Sequence, residues 1–159
     1  MPSFASPEIE AVWTQIEGAL DQLVALTRGL DAERLNWRPA AGPGASEATN
    51  SLYVVAWHAL GSTEQSLLHL LCGQEGSRDR EAEFRVGEQT SAAIEERWAA
   101  LREGLAAALA ALDAGAVEAI YEHPRRGQES GRQLLLASAH HVAVHVGHAE
   151  LTRDLLPAS

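Results

Sequence analysis

The sequence predicts an all-α protein, a four-helix bundle with long connections. Four segments of the chain repeat apolar residues every three or four positions, the spacing that places them on one face of a helix. No segment shows the regular apolar and polar alternation of a half-buried strand. Prolines and glycines lie between the four segments, where they end helices. Packing four such apolar faces together gives a bundle.

The first helix is predicted to begin at Ser6-Pro7-Glu8, because serine can cap its N-terminus and proline fits the first helical position. It extends to about Gly29. Residues 31–50 contain two prolines and two glycines, so they form a connector rather than more helix. The apolar stripe of this helix is Ile9, Val12, Trp13, Ile16, Leu20, Leu23 and Leu30.

The second helix is predicted over Ser51 to Cys72. A polar, charged stretch from Gln74 to Gln89 follows it and is predicted to be a loop. Three short polar residues that can cap this helix precede it, namely Ser46, Thr49 and Asn50. Two glycines that end it follow, namely Gly73 and Gly76.

The third helix is predicted from Thr90-Ser91 to about Ala114-Gly115. A loop around His123-Pro124 precedes the fourth helix, which runs from about Arg132 to Leu156. The connections are long enough for one or more of them to cross an end of the bundle. The apolar stripe of the third helix is Ile94, Trp98, Leu101, Leu105 and Leu109.

Composition sets the class of protein. The 159 residues are 46% hydrophobic and 21% charged, which predicts a single folded domain over residues 1–159. The formal net charge of −10 argues against nucleic acid and anionic membranes as partners. One cysteine, no apolar segment of membrane-spanning length and no signal sequence predict a cytoplasmic protein. A homodimer through exposed helix faces would be ordinary for such a bundle.

The fourth helix carries a histidine pair with metal-ligand spacing. His141 and His145 are four residues apart, so they lie about 40° apart around the helix axis and about 6 Å apart along it. Two imidazoles on one helix face can reach the same ion. The spacing is also common among histidines with no metal role, so it needs a third ligand from another helix. His58, in the middle of the apolar second helix, is the candidate, and Gly61 and Ser62 are predicted to leave a cavity beside it.

The other histidines lead to weaker predictions. His148 lies two turns beyond His141, so we expect it to line the site rather than bind the ion, with a catalytic role as the alternative to a simple polar residue. His69 is too far along its helix to join the site, and His140 and His123 are predicted to be exposed. Arg125 and Arg126 could clamp an anionic substrate, although adjacent loop arginines are usually solvated.

Two runs of residues resemble a known family. The segment from Leu30 to Pro39, Ser46, and Trp57-His58-Ala59-Leu60 resemble the first half of the DinB-like metal-binding bundle proteins. The segment from His141 to Leu151 resembles their closing motif, in which two histidines four apart are soon followed by glycine and a polar residue. His148 stands where many members carry glutamine. Together these motifs span most of the chain.

The resemblance implies a DinB-like four-helix bundle in which His58, His141 and His145 bind zinc, nickel or a similar divalent ion. It extends to thiol-dependent relatives, namely maleylpyruvate isomerase-type proteins and transferases of low-molecular-weight thiols. The leading functional hypothesis is therefore a metal-dependent enzyme that transfers a thiol of the bacillithiol or mycothiol type to an electrophilic small molecule. The alternatives are a metal-dependent hydrolase, with His148 or Glu64 as proton carrier, and a non-enzymatic metal-binding interaction protein.

Overall fold

The computed structural model describes residues 4–42, 49–85 and 90–157. It confirms the all-α fold class and adds one small hairpin. In chain order the elements are α1 (Pro7–Ala25), α2 (Ala32–Asn36), α3 (Leu52–Thr63), a π-helical segment (Glu64–Leu71), α4 (Arg80–Arg85), α5 (Ser91–Ala110), a 3₁₀ turn (Ala114–Val117), β1 (Ile120–His123), β2 (Gly127–Ser130) and α6 (Gly131–Asp154).

The four long helical segments pack as a bundle. α6 packs against α1 and α3, and α5 packs against the same two helices. Going around the bundle, the order is therefore α1, α5, α3 and α6. α1 and α3 therefore lie diagonally opposite each other, as do α5 and α6, and the connection from α5 to α6 crosses an end of the bundle. Among the helices that the structure describes, none combines the length and the apolar composition needed to span a bilayer.

The helix starts follow from local chemistry. The Ser6 side chain accepts a hydrogen bond from the backbone N–H of Ile9, and Pro7 occupies the first turn of α1. α3 is capped by Ser51, which accepts from Val54, and neither Thr49 nor Asn50 has that role. Ser46, another predicted cap, lies outside the described residues. α6 begins with a capping box between Ser130 and Gln133.

Most residues of the predicted apolar stripes form the core, whereas Val12 and Leu30 are only partly buried and pack against it. Ile9, Trp13, Ile16, Leu20 and Leu23 of α1 are buried. The two tryptophans of the stripes, Trp13 and Trp98, contact each other with ring centroids 6.4 Å apart. The five predicted residues of α5 are also buried, namely Ile94, Trp98, Leu101, Leu105 and Leu109.

Three segments predicted as connectors or loops contain regular structure, the first being the connector over residues 31–50, which contains the short helix α2. The stretch from Gln74 to Gln89 includes α4, and the loop before α6 includes the antiparallel hairpin β1–β2, in which His123 pairs with Gly127. Gly127 has a φ of 77°, a conformation that glycine adopts without strain after a three-residue loop. The last two corrections matter because α4 and the hairpin supply side chains to the candidate site.

The second long helix changes its winding after α3. Its last part, Glu64–Leu71, is π-helical, and the N–H of Cys72 bonds the carbonyl of Leu67, five residues earlier. π-Helical turns are rare and occur often beside functional sites. The transition from α to π winding comes within two turns of His58.

Candidate metal centre

Three histidine side chains meet in the bundle, one from α3 and two from α6. Their ring centroids are 5.3 Å apart for His58 and His141, 5.2 Å for His58 and His145, and 4.4 Å for His141 and His145. One ligand atom of each residue lies within 4.8 Å of the other two. Imidazole nitrogens are ordinary zinc ligands, with zinc–nitrogen bonds of ~2.0–2.1 Å. The group could therefore hold a metal ion.

Two of these rings have a buried nitrogen without a partner. His141 Nε2 and His145 Nδ1 have no hydrogen-bond partner within the described residues. A buried polar atom left in that state costs about 1–3 kcal/mol. A metal ion is the partner that would satisfy both nitrogens at once, so the donor set fits a divalent cation.

Burial keeps these two histidines in the form that binds metals. It is the main cause that lowers the pKa of His141 to about 4 and the pKa of His145 to about 3. At His141 the electrostatic effects of His58 and then of Arg78 lower the pKa further. Both imidazoles are therefore neutral at pH 7, as coordination requires.

We expect the metal-free protein to lose stability as the pH falls from 7 to 5. In the folded state His141 and His145 bind protons only near pH 4 and 3, whereas in the unfolded state they do so near 6.5. The unfolded state therefore binds more protons over this range, which lowers the free energy of unfolding by up to about 2 kcal/mol per histidine.

Urea unfolding at pH 7 and pH 5 measures this loss. His145→Asn cannot titrate, so it should lose roughly 1–2 kcal/mol less than the wild type. The control is His140→Asn, at an exposed position on the same helix. An unchanged pH dependence in His145→Asn would contradict the expectation.

The buried ion pair of Glu83 and Arg78 orients the His58 ring. His58 Nδ1 lies 2.9 Å from Glu83 Oε2, so the ring donates Nδ1–H to the carboxylate and leaves Nε2 free for an ion. Arg78 donates from Nε and Nη2 to the same carboxylate, at 2.7 Å each. Only 5% of the Glu83 side chain and 10% of the Arg78 side chain are exposed. Burial raises the pKa of Glu83, but the hydrogen bonds and charges of His58 and Arg78 outweigh it and lower the pKa below its usual value.

Gly61 makes room for this carboxylate. A Cβ on Gly61 would lie 2.1 Å from Glu83 Oε1 and 3.2 Å from an Arg97 nitrogen. Gly61 does line a cavity of about 290 Å³, but this cavity is not the one that His58 lines, and Glu83 occupies the space next to Gly61. Ser62, the next residue, does line a cavity together with His58.

We expect Gly61→Ala to destabilise the protein by about 1–3 kcal/mol, because the new methyl group must displace a carboxylate held by Arg78 and His58. Gly104→Ala is the matched control. Gly104 lies inside α5, and no described atom beyond its own stretch of helix lies within 4 Å of where a Cβ would stand. This substitution should therefore stabilise the helix by about 0.5–1 kcal/mol. Chemical denaturation of both variants measures the difference, and a stabilising Gly61→Ala would contradict this packing.

In the part of the chain that the structure describes, two cavities adjoin the three converging histidines. One, of about 310 Å³, is lined by His58, His141 and Ser62 together with arginines and His123. The other, of about 390 Å³, is mostly apolar, and His145 and His148 line it with Val55 and two leucines near the end of α6. A reactant could reach the histidines through a polar opening or an apolar one.

The remaining candidates are placed as follows. The His148 ring lies 5.6 Å from the His145 ring, between centroids, and lines the apolar cavity. Glu64 pairs with Arg97 at 2.8 Å and borders a different cavity from the one His58 lines. His140 is exposed, as predicted.

His123 was wrongly predicted to be solvated. Its side chain is buried at the turn of the hairpin, where Nδ1 accepts the backbone N–H groups of Arg125 and Arg126 at 3.2 Å each. Burial first, and then the charge of Arg126, lower its pKa. His123 thereby fixes the loop that faces His58 and His141 across the cavity.

Comparison with known proteins agrees with this architecture. Residues 15–149 match the family described as the DinB superfamily. No curated protein matches the chain. The matched range begins inside α1 and ends inside α6, and it contains all three converging histidines. The helical bundle and this match over most of the sequence show that the chain belongs to the DinB superfamily.

Proposed function

We propose that the chain is a divalent-metal-dependent enzyme that transfers a low-molecular-weight thiol, of the bacillithiol or mycothiol type, to an electrophilic small molecule. Its metal ligands are His58, His141 and His145. The observation that carries the proposal is the convergence of these rings, two of which have a buried nitrogen with no partner among the residues that the structure describes. Three protein ligands leave a coordination position for a reactant, which is typical of catalytic rather than structural sites.

Zinc and nickel are the proposed ions, because neutral imidazole suits both. A divalent ion in this position supplies Lewis acidity, which lowers the pKa of a thiol at the open coordination position. The protein's own residues hold the rings: Glu83 orients His58, and burial keeps His141 and His145 neutral.

The reacting thiol has to come from outside the chain. Cys72 is the one cysteine of the sequence, and it lies at the end of the π-helical segment. Burial raises its pKa to about 11, and it lines neither cavity beside the histidines. A small thiol cofactor fits this arrangement, with the two cavities accommodating the thiol and its electrophilic partner.

One contact favours a second candidate function. His148 lies beside His145 and faces the apolar cavity, where it could carry a proton during hydrolysis of a small molecule. Glu64, the other proposed proton carrier, is engaged by Arg97 and borders a separate cavity. The hydrolase candidate therefore depends on His148.

The test offers zinc-loaded and nickel-loaded protein bacillithiol or mycothiol with a panel of electrophiles. We expect thioether conjugates by mass spectrometry that vanish with a chelator and in His58→Ala but persist in His140→Ala. Stoichiometrically loaded protein that forms no conjugate with any pair would overturn the transferase proposal. Thiol-independent hydrolysis that is lost in His148→Ala would establish the second candidate instead.

A further inference from the structure

The polar cavity beside His58 and His141 is unusually rich in arginine. Arg78, Arg80, Arg125 and Arg126 line it, and no carboxylate lines it among the residues that the structure describes. The whole chain has a net charge of −10 and only 12 basic residues, all of them arginine. One third of its positive charge is therefore gathered around a cavity of about 310 Å³.

Two of these arginines are neutralised by acidic partners outside the cavity. Arg78 is paired with buried Glu83, and Arg126 forms two hydrogen bonds of 2.7 Å with Glu129. Arg78 therefore serves the ion pair behind His58, and Arg126 is held in a fixed orientation at the rim.

The other two arginines keep most of their charge available. Arg125 has no ion pair within the described residues, and it is exposed at the hairpin loop. Arg80 is paired only with Glu81 in the described part of the chain, and the Glu81 side chain is 73% exposed and therefore well screened by solvent. The Arg80 guanidinium lies over the ring of Phe84, and its Nε is buried without a hydrogen-bond partner among the same residues.

A neighbouring cavity does not share this excess of positive charge. The cavity on the other side of Arg78 is lined by two arginines and three acidic residues, so its charges are close to balanced. The cavity at the histidines holds four arginines and no compensating acid among its described lining residues. A planar guanidinium with unused N–H donors binds carboxylate or phosphate oxygens through paired hydrogen bonds.

We propose that this cavity binds a carboxylate or phosphate group of a molecule that reacts at the metal centre, with Arg80 and Arg125 as the residues that contact the anion. The proposal rests on the proposed function and narrows it, because one reactant must then be a small organic anion. Its uncharged, reactive part lies toward His58 and His141, which line the same cavity.

The test measures binding of inorganic phosphate and of succinate to the purified full chain by titration calorimetry at low ionic strength. Each anion is titrated into metal-free and into zinc-loaded protein. Arg125→Gln removes the unpaired guanidinium, and Arg28→Gln is the matched control at a surface arginine paired with Glu95. We expect saturable binding of at least one anion and about tenfold weaker binding in Arg125→Gln, with Arg28→Gln within twofold of wild type.

The stronger anion identifies whether the group is a phosphate or a carboxylate. Absence of saturable binding, or equal weakening in the two variants, would overturn the proposal. Binding that needs zinc and is unaffected by Arg125→Gln would also overturn it, because the ion alone would then hold the anion. If the protein binds an anion but retains no zinc after loading, the cavity assignment is supported and the proposed function is refuted. Failure of the anion proposal and failure of the proposed function are therefore distinguishable.

Discussion

Replacing His58, His141 or His145 by alanine is expected to abolish stoichiometric metal in protein purified without added ions. Wild-type protein should contain about one divalent ion per chain. Loss of one of three imidazoles leaves a pair, which competes poorly with water, so we expect affinity to fall by roughly 100-fold or more. Elemental analysis of the purified proteins measures the change.

The control for this experiment is His148→Ala. His148 contacts the His145 ring but lies outside the group of three converging ligand atoms, so its substitution should leave metal content unchanged. Wild-type protein without stoichiometric metal, or equal loss in His148→Ala, would refute the assignment of ligands.

The stability of the metal-free protein indicates whether His145 is mainly a metal ligand or mainly a residue that packs in the fold. In the absence of an ion His145 Nδ1 is a buried nitrogen without a partner among the described residues, so His145→Ala removes a group that is itself unfavourable. Without metal, the free energy of unfolding of His145→Ala should be lower than that of the wild type. We expect this decrease to be smaller than the increase that zinc binding gives the wild type. Urea unfolding with and without the ion measures both differences. The opposite order would indicate that packing of the imidazole is its main role.

The second large effect is expected from Glu83→Leu. This substitution leaves the Arg78 guanidinium buried without its carboxylate and His58 Nδ1 without its acceptor. Breaking a buried ion pair from one side typically costs about 3–5 kcal/mol. Loss of the group that orients a metal-binding imidazole should also weaken metal affinity about 10–100-fold.

Three further variants test this interpretation. Glu83→Gln keeps an acceptor for His58 and should retain more metal affinity than Glu83→Leu. The double variant Arg78→Leu/Glu83→Leu removes both buried charges and should recover much of the stability without recovering the affinity. Glu81→Leu, at an exposed position of the same helix, should change stability by no more than about 0.5 kcal/mol. Equal effects of Glu81→Leu and Glu83→Leu on unfolding would refute the role of the pair.

The long helices and the three converging histidines could be predicted because their signals are local. Apolar periodicity placed Trp13 and Trp98 in the core, and the four-residue spacing of His141 and His145 put both on one face of α6. His58 followed from its position in the middle of an apolar helix.

The sequence does not predict which residues surround the three histidines, because tertiary contacts decide that. Glu83 and Glu81 look alike in the polar stretch around α4, yet one is buried against His58 and the other is exposed. Gly61 did carry a signal, since a glycine inside a helix often marks a close approach. The group that approaches it, Glu83, could not be identified without the packing of α4 on α3.

The hairpin had a weaker signal. Pro124 and Gly127 indicate a turn. The sequence pattern of four-residue strands with polar faces, however, cannot be distinguished from that of the surrounding loop. The sequence therefore predicts His123 to be a solvated loop residue. Its ring is in fact buried, and it accepts hydrogen bonds from the backbone N–H groups of Arg125 and Arg126 beside the cavity.

The position of α6 between α1 and α3 has a consequence for how the chain is held together. His58 and His141 are separated by about half of the sequence, so an ion between them would join α3 to α6 as a reversible cross-link. Because the two histidines are far apart in the unfolded chain, the ion binds the folded chain preferentially and stabilises it by mass action. A chelator would then act on the whole bundle as well as on the chemistry, loosening the contact between its early and late helices.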